Sequence, residues 1–442
     1  MTTMFATWIT NIPTILGYSQ SNAATLTTLP TEVVADIISN LPALSSGSQE
    51  TNATLCALAL TSRALQYEAE RELYRTVKLC GEEDIKDVGA ALDFSGACDG
   101  GGRTARLVRQ LTVEGCIEDE ACWDILSSTL RLVTKLQALI IVTSTPPPLS
   151  VLTNSNIVST NLRALTVPFI PTRSLAAVLA AQTGITQLSL TTASTIPAEC
   201  RGISDNMSLD EFIEILTAEI LPSLTSLRTP CTSLAAALIS NRPIEHLWAP
   251  LPPIPVAISL SPQHNTLFLA QPNIHDPKVA SPTLPHIPEP IELFLASLEG
   301  STRPFRTLHF ILHSPLSSTD IEALSVFVAF VLAMNPNLTS LGVIPLSSLL
   351  PLLPPQATSH SHPIPTPHFP RLRTLILNHT PSPLTVLHLS EQIPSLRWVI
   401  CAGFSRTVEY LCIPVNCGAD EGARSMNEED VLKIVGAGFG CA

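Results

Sequence analysis

One spacing constrains this chain more than any other feature: an apolar residue, two free positions, a leucine, one free position, another apolar residue. It reads Val108-x-x-Leu111-x-Val113, Leu136-x-x-Leu139-x-Ile141, Leu162-x-x-Leu165-x-Val167 and Ile185-x-x-Leu188-x-Leu190 in the first half of the chain. It returns as Phe305-x-x-Leu308-x-Phe310, Leu338-x-x-Leu341-x-Val343, Leu372-x-x-Leu375-x-Leu377 and Leu396-x-x-Val399-x-Cys401. Weaker copies centre on Leu227, Leu247 and Leu267. The centres run from 111 to 399, a mean step of about 29 residues. Each hexad ends in the alternation of a half-buried strand. Between hexads, apolar residues recur at helical spacing over 119–133, 174–181, 209–220, 291–298 and 319–334. Proline precedes several hexads, at Pro222, Pro336, Pro370 and Pro394, where it stops a helix before an extended segment.

Strand, turn and helix at a repeated step predict parallel strands along one concave face, with helices outside. The pattern resembles an irregular leucine-rich-repeat solenoid of the α/β class. Its steps vary from 20 to 41 residues, and Cys116 alone clearly meets the family's consensus Asn or Cys. Long steps coincide with Pro-rich insertions near 250–290 and 351–370, expected as loops of polyproline character.

Ahead of the repeats, Pro30 and Glu32 open an amphipathic helix with apolar residues at Val33, Val34, Ile37, Ile38 and Leu41. The polar stretch from Ser45 to Asn52 interrupts, and Leu58, Leu65, Ala69 and Leu73 continue the apolar pattern. The ordered strings Leu29-Pro30-x-Glu32-Val33, Ile37-Ile38-x-x-Leu41, Leu58-Ala59-Leu60-Thr61-Ser62-Arg63 and Leu73-Tyr74-Arg75-Thr76-Val77 resemble an F-box, in the form common in mushroom-forming fungi. That family docks onto a cullin adaptor of the Skp type. The resemblance implies Leu29, Pro30, Val33, Ile37 and Leu58 as adaptor contacts. Leu41 and Leu55 stand 14 residues apart, a longer interval than the family's usual loop.

The expected organisation is a disordered leader over 1–27, an F-box-like helical module over 28–80 and a linker over 81–105. A degenerate solenoid over 106–412 and a tail or cap over 413–442 follow. Within the solenoid, the residue after each central leucine should face the concave side. That column includes Arg228, Trp248, Phe268 and His309, a cation, two large aromatics and an imidazole, which are residues that interface hot spots favour. They are the expected target-binding residues.

Composition narrows the function classes. With 24 basic and 37 acidic residues the chain carries a net charge of −13, and no basic run offsets it, so nucleic acid is not an expected partner. Leu324 to Met334, the most apolar run, is too short to span a bilayer, so no membrane partner is expected. Eleven cysteines without framework spacing, some inside apolar runs like Cys56, suit buried thiols in the cytoplasm or nucleus.

Catalytic signals are weak. Gly436-Ala437-Gly438-Phe439-Gly440 lacks a following helix to hold a phosphate. His360, His362 and His368 lie among prolines without a Cys or carboxylate nearby, and Cys412 and Cys417 form a lone pair. No catalytic residue, metal or cofactor is expected. The resulting expectation is a non-enzymatic substrate-recognition adaptor of a Skp–cullin–F-box ubiquitin ligase, with an unknown target protein. The alternatives are a repeat-based interaction scaffold with no ubiquitin role and, last, an enzyme of unfamiliar type.

Overall fold

The computed structural model describes residues 30–41, 48–61, 63–88, 104–143, 147–148, 151, 162–192, 207–217, 219–252, 289–311, 318–349, 371–402, 410–415, 423–426 and 431. The leader, Leu29, the Gly100–Gly102 stretch, Phe268, the bulk of both Pro-rich insertions, the histidines at 360, 362 and 368, and the glycines at 436–440 lie outside the described residues. The chain divides into two compact units, residues 1–137 with 155–160 and residues 138–154 with 161–442.

The first unit opens with three helices, α1 (Thr31–Ser39), α2 (Ser48–Ala59) and α3 (Arg63–Leu73). Helix α1 begins where the Pro30 carbonyl accepts the Val33 and Val34 amides at 3.0 and 3.1 Å. Helices α1 and α2 both pack on α3. Their shared core is Val34, Ile38, Leu41, Leu55, Leu58, Leu65 and Ala69, with each fully buried leucine stabilising by about 1.5–3 kcal/mol. Two expectations change here. Helix α2 starts inside the polar stretch from Ser45 to Asn52 instead of after it, because Thr51, Leu55 and Leu58 place one buried side chain on each successive turn. The same geometry turns Cys56 outward, so this thiol is exposed rather than buried.

The helices run directly into strand β1 (Thr76–Cys80), which pairs in parallel with β2 (Gln110–Gly115), Val77 opposite Leu111 and Leu79 opposite Val113. The string read as the close of the helical module is therefore already a strand. Residues 81–88 are likewise structured, with Ile85 buried. Gly81 takes φ +93° and gives its amide to the Glu114 carbonyl at 2.9 Å, a turn that only glycine enters without strain. Helix α4 (Glu120–Leu132) follows β2, and its first free amides are met by Asp119, which accepts from Ala121 N–H at 3.0 Å.

The second unit is an open α/β sheet that is parallel except at its last strands. Its strands stand in chain order: β3 (Ala138–Thr143), β4 (Ala164–Phe169), β5 (Gln187–Thr192), β6 (Ser226–Arg228), β7 (His246–Pro250), β8 (Thr307–Ile311), β9 (Ser340–Ile344), β10 (Thr374–Leu377) and β11 (Trp398–Ala402). Strands β12 (Tyr410–Pro414) and β13 (Arg424–Met426) then return antiparallel and extend the sheet across residue 412 into the stretch expected as a tail or cap. Helices α5 (Arg173–Ala181), α6 (Leu209–Ile215), α7 (Thr232–Ile239), α8 (Glu289–Glu299), α9 (Ser318–Met334), α10 (Leu346–Leu349) and α11 (Pro383–Gln392) fill the connections. Among the described residues no helix is long and apolar enough to cross a membrane.

The register follows the hexads. Leu139, Leu165, Leu188, Leu227, Leu247, Leu308, Leu341, Leu375 and Val399 stand opposite one another from strand to strand, and all are buried. The copy centred on Leu267 lies outside the described residues, and β7 pairs directly with β8.

A second ladder holds the strand starts. From β4 to β10, the residue two before the central position offers its carbonyl to two amides of the next coil. The Thr225 carbonyl accepts from Glu245 and His246 at 2.8 and 3.0 Å, and the Arg306 carbonyl accepts from Thr339 and Ser340 at the same distances. These bonds satisfy backbone amides at the strand starts.

Helix α6 ends at Ile215 rather than near residue 220. Arg242, 0% exposed, sends Nε to the Ile220 carbonyl at 2.9 Å and Nη2 to those of Thr217 and Leu216 at 2.6 and 3.4 Å. Its Nη1 reaches Ala237 and Ser240 at 2.9 and 3.3 Å. A single buried cation thus takes up carbonyls left free near the ends of α6 and α7, where positive charge is favoured. Burial lowers its pKa.

Candidate functional site

On the face opposite the leucine ladder, the residues after each centre align as Ser189, Arg228, Trp248, His309 and Gly342 on β5 to β9. The structure therefore brings together three of the four residues expected to contact a target. Trp248 and His309 are direct partners across β7 and β8, and Phe268 lies outside the described residues.

The three form a stack. The Arg228 guanidinium carbon lies 5.0 Å from the centre of the Trp248 ring, within cation–π range. Trp248 meets His309 edge to face, with ring centres 4.7 Å apart at 84°. His309 Nε2 lies 2.9 Å from Ser340 Oγ, and on the same face His246 Nδ1 lies 2.9 Å from Thr307 Oγ1.

The stack is less open than its column position predicts. Trp248 is 4% exposed and His309 is 1% exposed, while Arg228 is half-buried. The reason is side-chain size across coils: Gly342 leaves a gap beside His309, and the imidazole fills it. Burial, helped by the charges of His246 and Arg228, pushes the His309 pKa down to about 3, so the ring is neutral at physiological pH. A serine beside a neutral imidazole is half of a nucleophile–base pair. Ser340 is itself buried, however, and the ring also packs against Trp248 and Gly342. The geometry is that of a packed polar contact.

At the amino end, the five residues expected to meet an adaptor divide. Pro30 is exposed, Val33 is 38% exposed and Ile37 is half-buried. Leu58 belongs to the core shared by α1, α2 and α3, so it supports the surface from beneath instead of forming part of it. The expected single apolar stripe of α1 is in fact two. Val34, Ile38 and Leu41 face the core, while Val33 and Ile37, one turn apart, remain toward solvent.

Glu82, Asp119 and Cys122 place one potential ligand atom each within 4.8 Å of the others. Their donors are already engaged. Glu82 Oε1 accepts the Glu118 and Asp119 amides at 2.7 and 2.8 Å, and Asp119 caps α4 and pairs with Lys86 at 3.2 Å. These bonds hold both carboxyls below their ordinary pKa, while burial raises that of the Cys122 thiol. The cluster fastens the turn into α4.

No protein-family model matches this chain, and no curated protein matches it.

Proposed function

We propose that this chain is a substrate-recruiting subunit of a ubiquitin ligase of the Skp–cullin–F-box type, with an F-box-like module ahead of leucine-rich repeats. The observation that carries the reading is the second stripe of α1. Pro30, Val33 and Ile37 stay accessible on a three-helix module whose own core is complete without them, and an uncovered apolar stripe on a small helical unit suits docking of a partner. The mechanism is proximity: the module grips the adaptor, the repeat face holds a target, and ubiquitin transfer becomes effectively intramolecular. No residue of this chain acts chemically, and no cofactor takes part. The target meets the repeat face at Arg228, whose guanidinium is held in place by Trp248 and His309 behind it. Work in the cytoplasm or nucleus suits buried free thiols such as Cys122, Cys401 and Cys412.

Co-purification of the full chain with a Skp-family adaptor tests the reading. The expected result is a stable complex that is lost when Pro30, Val33 and Ile37 are together replaced by polar residues. A wild-type chain that does not bind the adaptor overturns the ligase reading and leaves an interaction scaffold built on the same repeats.

A further inference from the structure

Beside the starts of β8 to β11 lies a cavity of about 800 Å³, lined by Arg306, Thr339, Arg371, Arg373, Arg397 and their neighbours. The order of the lining follows from the fold. Arg306, Thr339, Arg373 and Arg397 each immediately precede a strand, and the carbonyl ladder links them in sequence. Neighbouring strands lie about 4.8 Å apart, so these residues form one row along the rim. Arg371, two residues before Arg373 on the same coil, adds a second tier.

The charges in this row are unevenly balanced. Arg306 Nε pairs with Glu245 at 3.0 Å, and Arg371 Nη1 donates to the neutral Asn337 Oδ1 at 2.7 Å. Among the described residues, the Arg373 and Arg397 side chains have neither an ion pair nor a hydrogen bond. Like charges on directly neighbouring strands are destabilising. Here Arg373 and Arg397 are such neighbours in a chain of net charge −13, where carboxylates to neutralise them are plentiful. A concave basic rim left unneutralised on an acidic protein fits an anionic ligand that supplies the missing charge.

We propose that this cavity binds a small organic diphosphate, such as a nucleoside diphosphate, with its phosphoryl oxygens on Arg371, Arg373 and Arg397. Planar guanidinium forks suit phosphate oxygens, which accept paired N–H bonds. Three cations without acidic partners among the described residues match the charge of about −3 on a diphosphate ester at neutral pH. The volume is that of a small-molecule pocket, while the acidic surroundings oppose a long nucleic acid strand. Thr339 supplies a hydroxyl on the rim, although that hydroxyl also donates to the Arg306 carbonyl at 2.9 Å. The site uses none of the residues assigned above to adaptor or target, so it stands or falls independently of the ligase reading.

Calorimetric titration of the full chain with inorganic pyrophosphate, ADP and adenosine tests the proposal. Saturable one-to-one binding of pyrophosphate and ADP, weakening as salt rises, is expected, with no binding of adenosine. Replacement of Arg373→Gln and Arg397→Gln together should weaken both ligands by about tenfold or more, since each charged hydrogen bond contributes at least that order. Neither side chain has a partner to lose among the described residues, so the double variant should unfold at the same temperature as wild type or higher. Arg373→Lys with Arg397→Lys keeps the charge without the forks and should bind at intermediate strength. No binding by wild type, undiminished binding by the Gln variant, or tighter binding of a Glu-rich peptide than of pyrophosphate would each overturn the proposal.

Discussion

The imidazole of His309 lies so close over Gly342 that a Cβ added to the glycine would meet its Cδ2 at 2.6 Å and its Cγ at 2.9 Å. The ring cannot swing away, because Trp248 flanks it and Ser340 holds its Nε2. Gly342→Ala is therefore expected to destabilise the second unit by about 1–3 kcal/mol, the usual cost of overfilling a packed site. Chemical denaturation of the variant against wild type checks this. Adding His309→Ala should recover part of the loss, whereas purely additive effects would show that the two residues do not share the space.

The neutral state of His309 makes stability depend on pH. Its folded pKa is about 3, below the unfolded value of 6.5. As pH falls below 6.5 the unfolded chain takes up a proton there while the folded chain does not. The contribution is thus complete above that pH and is lost progressively down to about 3. Wild-type unfolding midpoints should fall between pH 7 and 5, before most carboxylates titrate. His309→Gln should flatten that slope in part, leaving a residue from His246, whose pKa burial also lowers. An unchanged slope would contradict the buried neutral ring.

Arg242 holds backbone rather than a ligand. Arg242→Met keeps much of the volume but strands carbonyls of Leu216, Thr217, Ile220 and Ala237 without their donor. The expected loss is about 3 kcal/mol or more, because buried polar groups left unmet are costly. Hydrogen exchange around α6, β6 and α7 should rise more than elsewhere. Exchange that rises uniformly, or not at all, would deny this arginine its local role.

Val33 and Val34 are adjacent in sequence but lie on different faces of α1. Val34→Asp places a carboxylate in the module core and should unfold α1 to α3, visible as lost helical circular dichroism. Val33→Asp should leave helicity intact within error while abolishing adaptor binding. Equal effects of the two substitutions on folding would mean that the outer stripe is packed after all.

Much of the architecture was legible in the residues themselves. The hexads, weaker copies included, located nine strands of the second unit and their pairing register, because a central leucine every few dozen residues can be buried in only one strand alignment. Helix α4 was readable to within one residue, because Asp119 is both a cap and the end of an apolar period. By contrast β1 was hidden in a string that closes the helical module, and β12 and β13 carry no hexad at all.

Local periodicity could thus state which residues face inward, since that depends on the alternation of one segment alone. It could not state which outward residues stay open, since that depends on the side chains of neighbouring coils. His309 is closed by a glycine 33 positions later, and Arg371, Arg373 and Arg397 share a rim with Arg306 only because stacked coils erase their separation along the chain. Sequence determined the ladder of leucines; tertiary structure decided what the opposite face and the rim present, because exposure and charge neighbourhood are properties of packed strands and not of any one of them.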